Sequence, residues 1–179
     1  MFIQSILDVT IRKIKTQTAN IMTLANLSLG GFAVIAAIMG EHSLSLLLIF
    51  LAALADRFDG MIARKLNVES ELGKQLDSMC DIISFGVAPA LLLFTTVLSD
   101  LGAPGMFFTV FYIGCGAFRL ARFNITESNG YFTGLPITAA GCLAAFSLLF
   151  VNQLSPSFFL FVIIILSFLM ISTFKLKKV

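Results

Sequence analysis

Four aspartates, in two closely spaced pairs, stand in a chain that is otherwise strongly apolar. Asp56 and Asp59 are three residues apart, and Asp77 and Asp81 are four residues apart. Residues at these spacings share one face of a helix, so each pair presents its two carboxylates together. If the two pairs converge, their charges repel one another unless a cation lies between them. The pattern therefore predicts a metal site, with a pair of divalent cations as the simplest way to neutralise it.

The type of donor favours Mg²⁺ or Mn²⁺, which prefer hard oxygen ligands, over zinc, which prefers His and Cys. Two such ions, about 4 Å apart, can bind the attacking and leaving oxygens of a phosphoryl displacement. Small residues share the same helical faces: Gly60 and Ala63 beside the first pair, and Gly73 beside the second. They leave room for a bulky group against the backbone, and Arg64 is placed to hold a phosphate. A solvated helix end is the alternative for each aspartate taken alone.

The composition indicates an integral membrane protein. Hydrophobic residues make up 58% of the 179 residues, and the mean hydropathy is +0.98. Charged residues make up 12%, against about 25% in soluble domains. Because an ionisable residue at membrane depth is costly, carboxylates in such a chain indicate a functional site. We expect one domain over residues 1–179.

Apolar stretches of about 20 residues predict an all-α fold with six transmembrane helices. The second and third spans, joined by six to eight residues, are expected to be antiparallel neighbours. A short amphipathic interfacial helix is predicted over residues 1–17, before a six-helix bundle over 18–175, with a frayed leader as the alternative. The predicted spans are residues 20–39, 43–64, 72–98, 104–123, 133–152 and 157–174.

Basic residues predict the orientation in the membrane. With these spans, all twelve Lys and Arg residues fall on one side. The opposite loops contain Glu41, His42 and Asp100 but no Lys or Arg. The positive-inside rule makes the basic side cytosolic. We therefore expect a multi-pass protein of the cell membrane with both termini and the acidic cluster on the cytosolic side.

The aspartates and the small residues together resemble the signature of the CDP-alcohol phosphotransferase family. That signature reads D-x-x-D-G-x-x-A-R, then eight residues, then G-x-x-x-D-x-x-x-D. The six-span plan with its N-terminal amphipathic helix is also similar to this family, so the resemblance extends over nearly the whole chain. In this sequence the signature consists of Asp56, Asp59, Gly60, Ala63, Arg64, Gly73, Asp77 and Asp81, with no departure in residue or spacing.

The resemblance implies a role for each aspartate. Family members displace CMP from a CDP-linked group and join the remaining phosphoalcohol to a hydroxyl. By resemblance, Asp56, Asp59 and Asp77 hold one Mg²⁺ or Mn²⁺ ion, and Asp56, Asp77 and Asp81 share a second. Asp81 is also implied to be the general base that accepts the proton of the acceptor hydroxyl. A homodimer is implied as well.

The CDP pocket is implied in the same way. Thr23 and Asn26 of the first span are expected to reach the cavity that the signature residues line. For Asn26, a helix–helix hydrogen bond is the alternative. The implied CDP-binding residues are Gly60, Ala63, Arg64, Gly73, Thr23 and Asn26.

The acceptor site is expected at the cytosolic end of the fourth span. Arg119 and Arg122 are three residues apart, and a guanidinium suits a carboxylate or a phosphate. They favour an anionic or zwitterionic acceptor without separating serine from a polyol phosphate, and membrane anchoring is their alternative role. Asn124 is a further acceptor-binding candidate.

Two stretches, GCGAFRLARFN at 114–124 and FTGLP at 132–136, are similar to the small membrane enzymes of the family that use L-serine. This resemblance implies CDP-diacylglycerol, or its archaeal ether analogue, and L-serine as substrates, with phosphatidylserine and CMP as products. A family member using inositol phosphate or glycerol phosphate is the alternative, and a cation transporter is the alternative from another class. No nucleic-acid partner is expected.

Overall fold

The computed structural model describes residues 21–66, 71–125, 131–173 and 175–177. Within these residues, helices occur at all six positions predicted from the apolar stretches. The interfacial helix predicted over residues 1–17 lies outside the described residues. The helices are α1 Ile21–Ile38, α2 His42–Leu66, α3 Glu71–Thr96, α4 Ala103–Ile125, α5 Ile137–Phe150 and α6 Pro156–Ile171.

Local sequence accounts for several of the helix ends. The turn after α1 contains Gly40 with φ of 80°, and the turn before α4 contains Gly102 with φ of 60°. Glycine adopts these left-handed angles without steric cost. Helix α6 begins at Pro156, whose fixed φ suits the first turn of a helix. Helix α2 continues to Leu66, two residues beyond the predicted end of the second span.

Three of the described helices, α1, α3 and α4, are long and apolar enough to cross a membrane. Helices α5 and α6 are apolar but shorter. In α2, residues 43–55 contain no acidic or basic residue, and Asp, Glu, Lys and Arg occur only from Asp56 onwards. The second helix is therefore apolar along its first half and acidic and basic along its second. These features identify a membrane protein.

Helix α3 is central to the packing of the bundle. It contacts α2, α4 and α5, and α4 also packs along α6. The largest fully buried side chains include Phe85 of α3, Tyr112 of α4 and Phe159 of α6. Large apolar side chains such as those of Phe107 and Phe161 are exposed on the outer faces, as expected where lipid rather than water surrounds the helices.

Helix α3 is not a continuous α-helix. Its α-helical first part, Glu71–Asp81, is followed by a π-helical turn, Ile82–Val87, and by a second α-helical part, Ala88–Thr96. The apolar pattern alone predicted one uninterrupted span here. Asp77 and Asp81 therefore belong to the part of α3 that precedes the irregular turn.

A short two-stranded ribbon was not predicted. Strand β1, Tyr131–Thr133, pairs antiparallel with β2, Lys175–Lys177, so that Phe132 lies opposite Leu176. The span predicted to begin at residue 133 begins as a helix at Ile137. The delay has a local reason: Gly134 has φ of 73° and Pro136 is extended with ψ of 141°, so neither is helical.

Candidate active site

Three carboxylates from two neighbouring helices converge near one end of the bundle. Asp56 is in α2, and Asp77 and Asp81 are in the first part of α3. One oxygen from each carboxylate lies within 4.8 Å of the oxygens of the other two. Asp81 is buried, while Asp56 and Asp77 are half-buried. These three carboxylates, called the carboxylate cluster below, offer only hard oxygen donors, which are the ligands that Mg²⁺ and Mn²⁺ favour.

The remaining signature residues lie along the same two helices. Gly60 of α2 and Gly73 of α3 are both half-buried. Asp59, Ala63 and Arg64 belong to α2, but their side chains lie outside the part of the chain that the structure describes. Their predicted contacts with a metal or with CDP therefore stay predictions.

Helix α5 places a hydroxyl beside the carboxylate cluster. Thr138 Oγ1 donates to Asp56 Oδ2 over 3.5 Å. Cys142, one helical turn further along α5, interacts electrostatically with the same carboxylate. Sequence reasoning missed Thr138. The available signal was a hydroxyl residue two positions after Pro136 of the Gly-Leu-Pro turn, at the start of an otherwise apolar helix.

Helix α1 lies beside the turn that follows Asp81. Ser84 Oγ donates to the backbone carbonyl of Asn26 over 3.2 Å. Thr23 and Asn26, three residues apart, are both buried on the same face of α1. Neither the amide nitrogen nor the amide oxygen of Asn26 has a hydrogen-bond partner among the described residues. A buried amide without partners is costly, which marks this position as one where a polar group is needed.

The two arginines of α4 occupy different surroundings. Arg119 is buried, interacts electrostatically with Asp81, and has its guanidinium carbon 5.9 Å from the centre of the Phe123 ring. Arg122 instead donates through Nη1 to the carbonyl of Ile171 and through Nη2 to that of Ser172, over 2.9 and 3.1 Å. The last carbonyls of a helix lack partners within the helix, so Arg122 caps the end of α6.

Asn124 connects the end of α4 to the start of α3. Its side-chain Nδ2 donates to Ser78 Oγ over 3.0 Å, and its backbone carbonyl accepts a hydrogen bond from Lys74 Nζ over 3.2 Å. Ser78 and Lys74 flank Asp77 in sequence. The side chain predicted to bind the acceptor is thus already engaged in holding α3 against α4.

The chain was also compared with known proteins. A sequence model described as CDP-alcohol phosphatidyltransferase matches residues 16–173. The chain belongs to the CDP-alcohol phosphatidyltransferase family. The family resemblance predicted from the aspartate signature is therefore confirmed, and membership favours a transferase over the cation transporter that the acidic cluster alone left open.

Curated relatives in this family carry closely related names. The chain is 39% identical over 128 residues to a CDP-diacylglycerol–serine O-phosphatidyltransferase of Bacillus subtilis, covering 70% of this chain and 72% of that protein. It is 37% identical over 169 residues to the protein of the same name from Methanocaldococcus jannaschii, covering 94% and 77%. It is 36% identical over 166 residues to an archaetidylserine synthase of Methanothermobacter thermautotrophicus, covering 89% and 69%.

Proposed function

We propose that this family member transfers the phosphatidyl group of CDP-diacylglycerol to the hydroxyl of L-serine, forming phosphatidylserine and releasing CMP. The observation that carries the proposal is the convergence of Asp56, Asp77 and Asp81. It occurs in a chain whose relatives are named for the serine reaction. An archaeal ether lipid in place of the acyl lipid is chemically equivalent at the reacting phosphorus, and one relative is named for that product.

The carboxylate cluster fits divalent cations. Its donors are all hard oxygens, they lie within 4.8 Å of one another, and they are partly shielded from solvent. Asp56, Asp77 and Asp81 would hold one Mg²⁺ or Mn²⁺ ion, and Asp59 together with Asp56 and Asp77 would hold a second. When bound, the ions supply positive charge to the pyrophosphate and to the departing CMP.

We assign Asp81 as the general base, as the family resemblance implies. The serine oxygen attacks the lipid-bearing phosphorus, the bond from that phosphorus to the CMP oxygen breaks, and Asp81 takes up the serine hydroxyl proton. A base must be ionised before it can accept a proton. Arg119 interacts electrostatically with the Asp81 carboxylate, and the charge of a bound divalent cation would favour the ionised form of Asp81.

The CDP group would lie between α1, α2 and α3. Gly60 and Gly73 leave the backbone accessible on the two helices that carry the aspartates, and Asn26 offers a buried amide beside the turn after Asp81. The lipid tails would extend from this cavity into the bilayer between helices. The residues we assign to the CDP pocket are Gly60, Ala63, Arg64, Gly73, Thr23 and Asn26.

Arg119 is the strongest candidate for binding the acceptor carboxylate. It is buried near Asp81, and its Nε has no hydrogen-bond partner among the described residues. Arg122 and Asn124 donate to protein groups instead, so their assignment to the acceptor site is weaker. This arrangement would place the serine carboxylate on Arg119 and its hydroxyl towards Asp81.

The proposal includes a membrane topology. We propose that all six helices cross the membrane, that residues 1–179 form one domain, and that both termini and the active site are cytosolic. The distribution of basic residues supports this orientation. We also propose a homodimer, which the family resemblance implies.

CMP release by the purified, detergent-solubilised protein tests the reaction. CDP-diacylglycerol and Mn²⁺ or Mg²⁺ are supplied with L-serine, inositol phosphate or glycerol phosphate, each alone, and a reaction lacking metal serves as the control. We expect release only with serine and metal. Release with a polyol phosphate but not with serine would preserve the phosphotransferase assignment and overturn the assignment of serine as the acceptor. Absence of release with every acceptor would overturn the proposed reaction.

A further inference from the structure

The π-turn, residues Ile82–Val87, begins directly after Asp81. At its end the backbone N–H of Ala88 donates to the carbonyl of Ile83, five residues earlier, rather than to the carbonyl four residues earlier as in an α-helix. Such a turn contains one extra residue, which rotates the preceding helix by about 100° relative to the following one. The π-turn therefore determines the direction in which Asp77 and Asp81 face relative to the buried second part of α3.

Pro89 provides the local reason for this turn. In a continuous α-helix the carbonyl of Phe85 would accept a hydrogen bond from the backbone N–H of residue 89. Proline has no such N–H, and its ring also clashes with the carbonyl four residues before it. A wider turn relieves the clash, but it leaves the Phe85 carbonyl without its α-helical donor in a fully buried position.

Tyr112 of α4 supplies a donor to that carbonyl. Its hydroxyl donates to the Phe85 carbonyl over 3.2 Å, and both residues are completely buried. A hydrogen bond of this kind contributes about 0.5–1.5 kcal/mol, so the Tyr112 hydroxyl stabilises the turn in which the Phe85 carbonyl lies. The proline that disturbs α3 and the tyrosine that satisfies the disturbed carbonyl thus act on the same backbone atom.

Two other helices press closely on the same turn. Ser84 Oγ reaches the carbonyl of Asn26 in α1. On the α5 side, a Cβ added at Gly141 would lie 2.7 Å from the Phe85 carbonyl oxygen. The turn is therefore enclosed by α1, α4 and α5, and we expect a change in its hydrogen bonding to shift the first part of α3, which carries Asp77 and Asp81.

We propose that Tyr112 is a positioning residue for the carboxylate cluster. Its hydroxyl holds the π-turn that Pro89 imposes, and this keeps Asp77 and Asp81 directed towards Asp56. The effect on turnover rests on the proposed function, whereas the alignment of the carboxylates does not depend on the acceptor.

The test compares Tyr112→Phe with Thr109→Val in the full-length protein. Thr109 is a matched control because its buried hydroxyl, three residues away in α4, donates only to the carbonyl of Gly105 in its own helix. Three quantities are measured: Mn²⁺ affinity by electron paramagnetic resonance without lipid, kcat and KM for CDP-diacylglycerol, and the thermal midpoint.

We expect Tyr112→Phe to weaken Mn²⁺ binding and to lower kcat, each about tenfold, which is the size typical of residues that orient metal ligands. The KM for CDP-diacylglycerol should change by less than about twofold, because the lipid-binding groups are unaltered. Thr109→Val should leave Mn²⁺ affinity and kcat at the wild-type values. Equal losses in the two variants would show a purely structural role and overturn the proposal, as would a Tyr112→Phe protein with wild-type Mn²⁺ affinity.

A double-mutant cycle with Pro89→Ala gives a second test. Alanine restores the backbone N–H at residue 89, so the Phe85 carbonyl regains a donor and Tyr112 becomes less important. The loss caused by Tyr112→Phe should then shrink to less than about twofold, a coupling expected only for residues that share a partner. An undiminished loss would overturn the proposal. If the wild type fails to release CMP with serine, the Mn²⁺ measurements still decide this inference separately.

Discussion

The hydroxyl of Thr138 lies 3.5 Å from Oδ2 of Asp56 and connects α5 to the carboxylate cluster. Carboxylates that bind metals are commonly oriented by hydrogen bonds from neighbouring groups. Thr138 is held in place because the segment before α5 is fixed to the end of α6: the N–H of Leu135 donates to the carbonyl of Leu169 over 3.0 Å. The end of α6 thus influences the position of Asp56 through the start of α5.

Replacing Thr138 with valine removes this donor while keeping the shape of the side chain. We expect Mn²⁺ affinity to fall about threefold to tenfold, less than the usual tenfold to hundredfold effect of such partners, because a distance of 3.5 Å indicates a weak hydrogen bond. Titration of the variant with Mn²⁺ measures this change. Thr95→Val is the control, since the Thr95 hydroxyl donates to carbonyls of its own helix. Unchanged affinity in Thr138→Val would exclude an orienting role.

Asp81→Asn separates proton transfer from substrate binding. The amide keeps the size of the carboxylate but cannot accept the serine proton, so kcat should fall by about 10²–10⁴, the usual contribution of a general base. Binding of CDP-diacylglycerol should be largely retained, as measured by competition with a fluorescent CDP-lipid. Near wild-type turnover in this variant would show that another group is the base.

Arg119 and Arg122 should respond differently to substitution by lysine. Lysine cannot reproduce a planar guanidinium, so Arg119→Lys should raise the KM for serine about tenfold or more, through the loss of a charge-assisted hydrogen bond. Arg122→Lys should lower the thermal midpoint and leave the KM for serine unchanged, because Arg122 caps the end of α6. Serine titrations and thermal unfolding distinguish the two. A raised KM in Arg122→Lys alone would reverse the assignment of the acceptor site.

Periodicity and hydropathy were sufficient to predict the helices and the convergence of Asp56, Asp77 and Asp81, and the place of Asp59 beside them stays a prediction. Apolar stretches of about 20 residues have few structural alternatives, and each of the six predicted stretches contains a helix in the described part of the chain. The spacing of Asp77 and Asp81 is local, so it survives in any helix, and their approach to Asp56 requires only that α2 and α3 be neighbours.

Features that depend on partners far away in sequence could not be predicted. One uninterrupted span was predicted across Pro89, and the hydrogen bond to the Phe85 carbonyl comes from Tyr112, which lies 27 residues beyond Phe85. Arg122 appeared equivalent to Arg119 at a spacing of three, yet it donates to carbonyls about 50 residues away. Such assignments require knowledge of how α4 packs against α3 and α6, and hydropathy carries no information about that packing.

Gly134 and Gly114 offer a contrast that tests the packing before α5. Gly134 has φ of 73°, and a Cβ there would lie 2.7 Å from the carbonyl oxygens of Met170 and Ser172. At Gly114, within α4, an added Cβ meets nothing within 4 Å. The two sites therefore differ both in backbone conformation and in free space.

Alanine at these two positions should have opposite effects. A left-handed conformation costs a residue other than glycine about 1–3 kcal/mol, and contact with two carbonyls adds to this, so Gly134→Ala should markedly lower the thermal midpoint in detergent. Gly114→Ala should leave it unchanged or raise it slightly, because alanine favours a helix over glycine by about 0.5–1 kcal/mol. Since Gly134 precedes Thr138, the first variant should also weaken Mn²⁺ binding at temperatures where it remains folded. Equal midpoints in the two variants would contradict the close approach of the Gly134 loop to the end of α6.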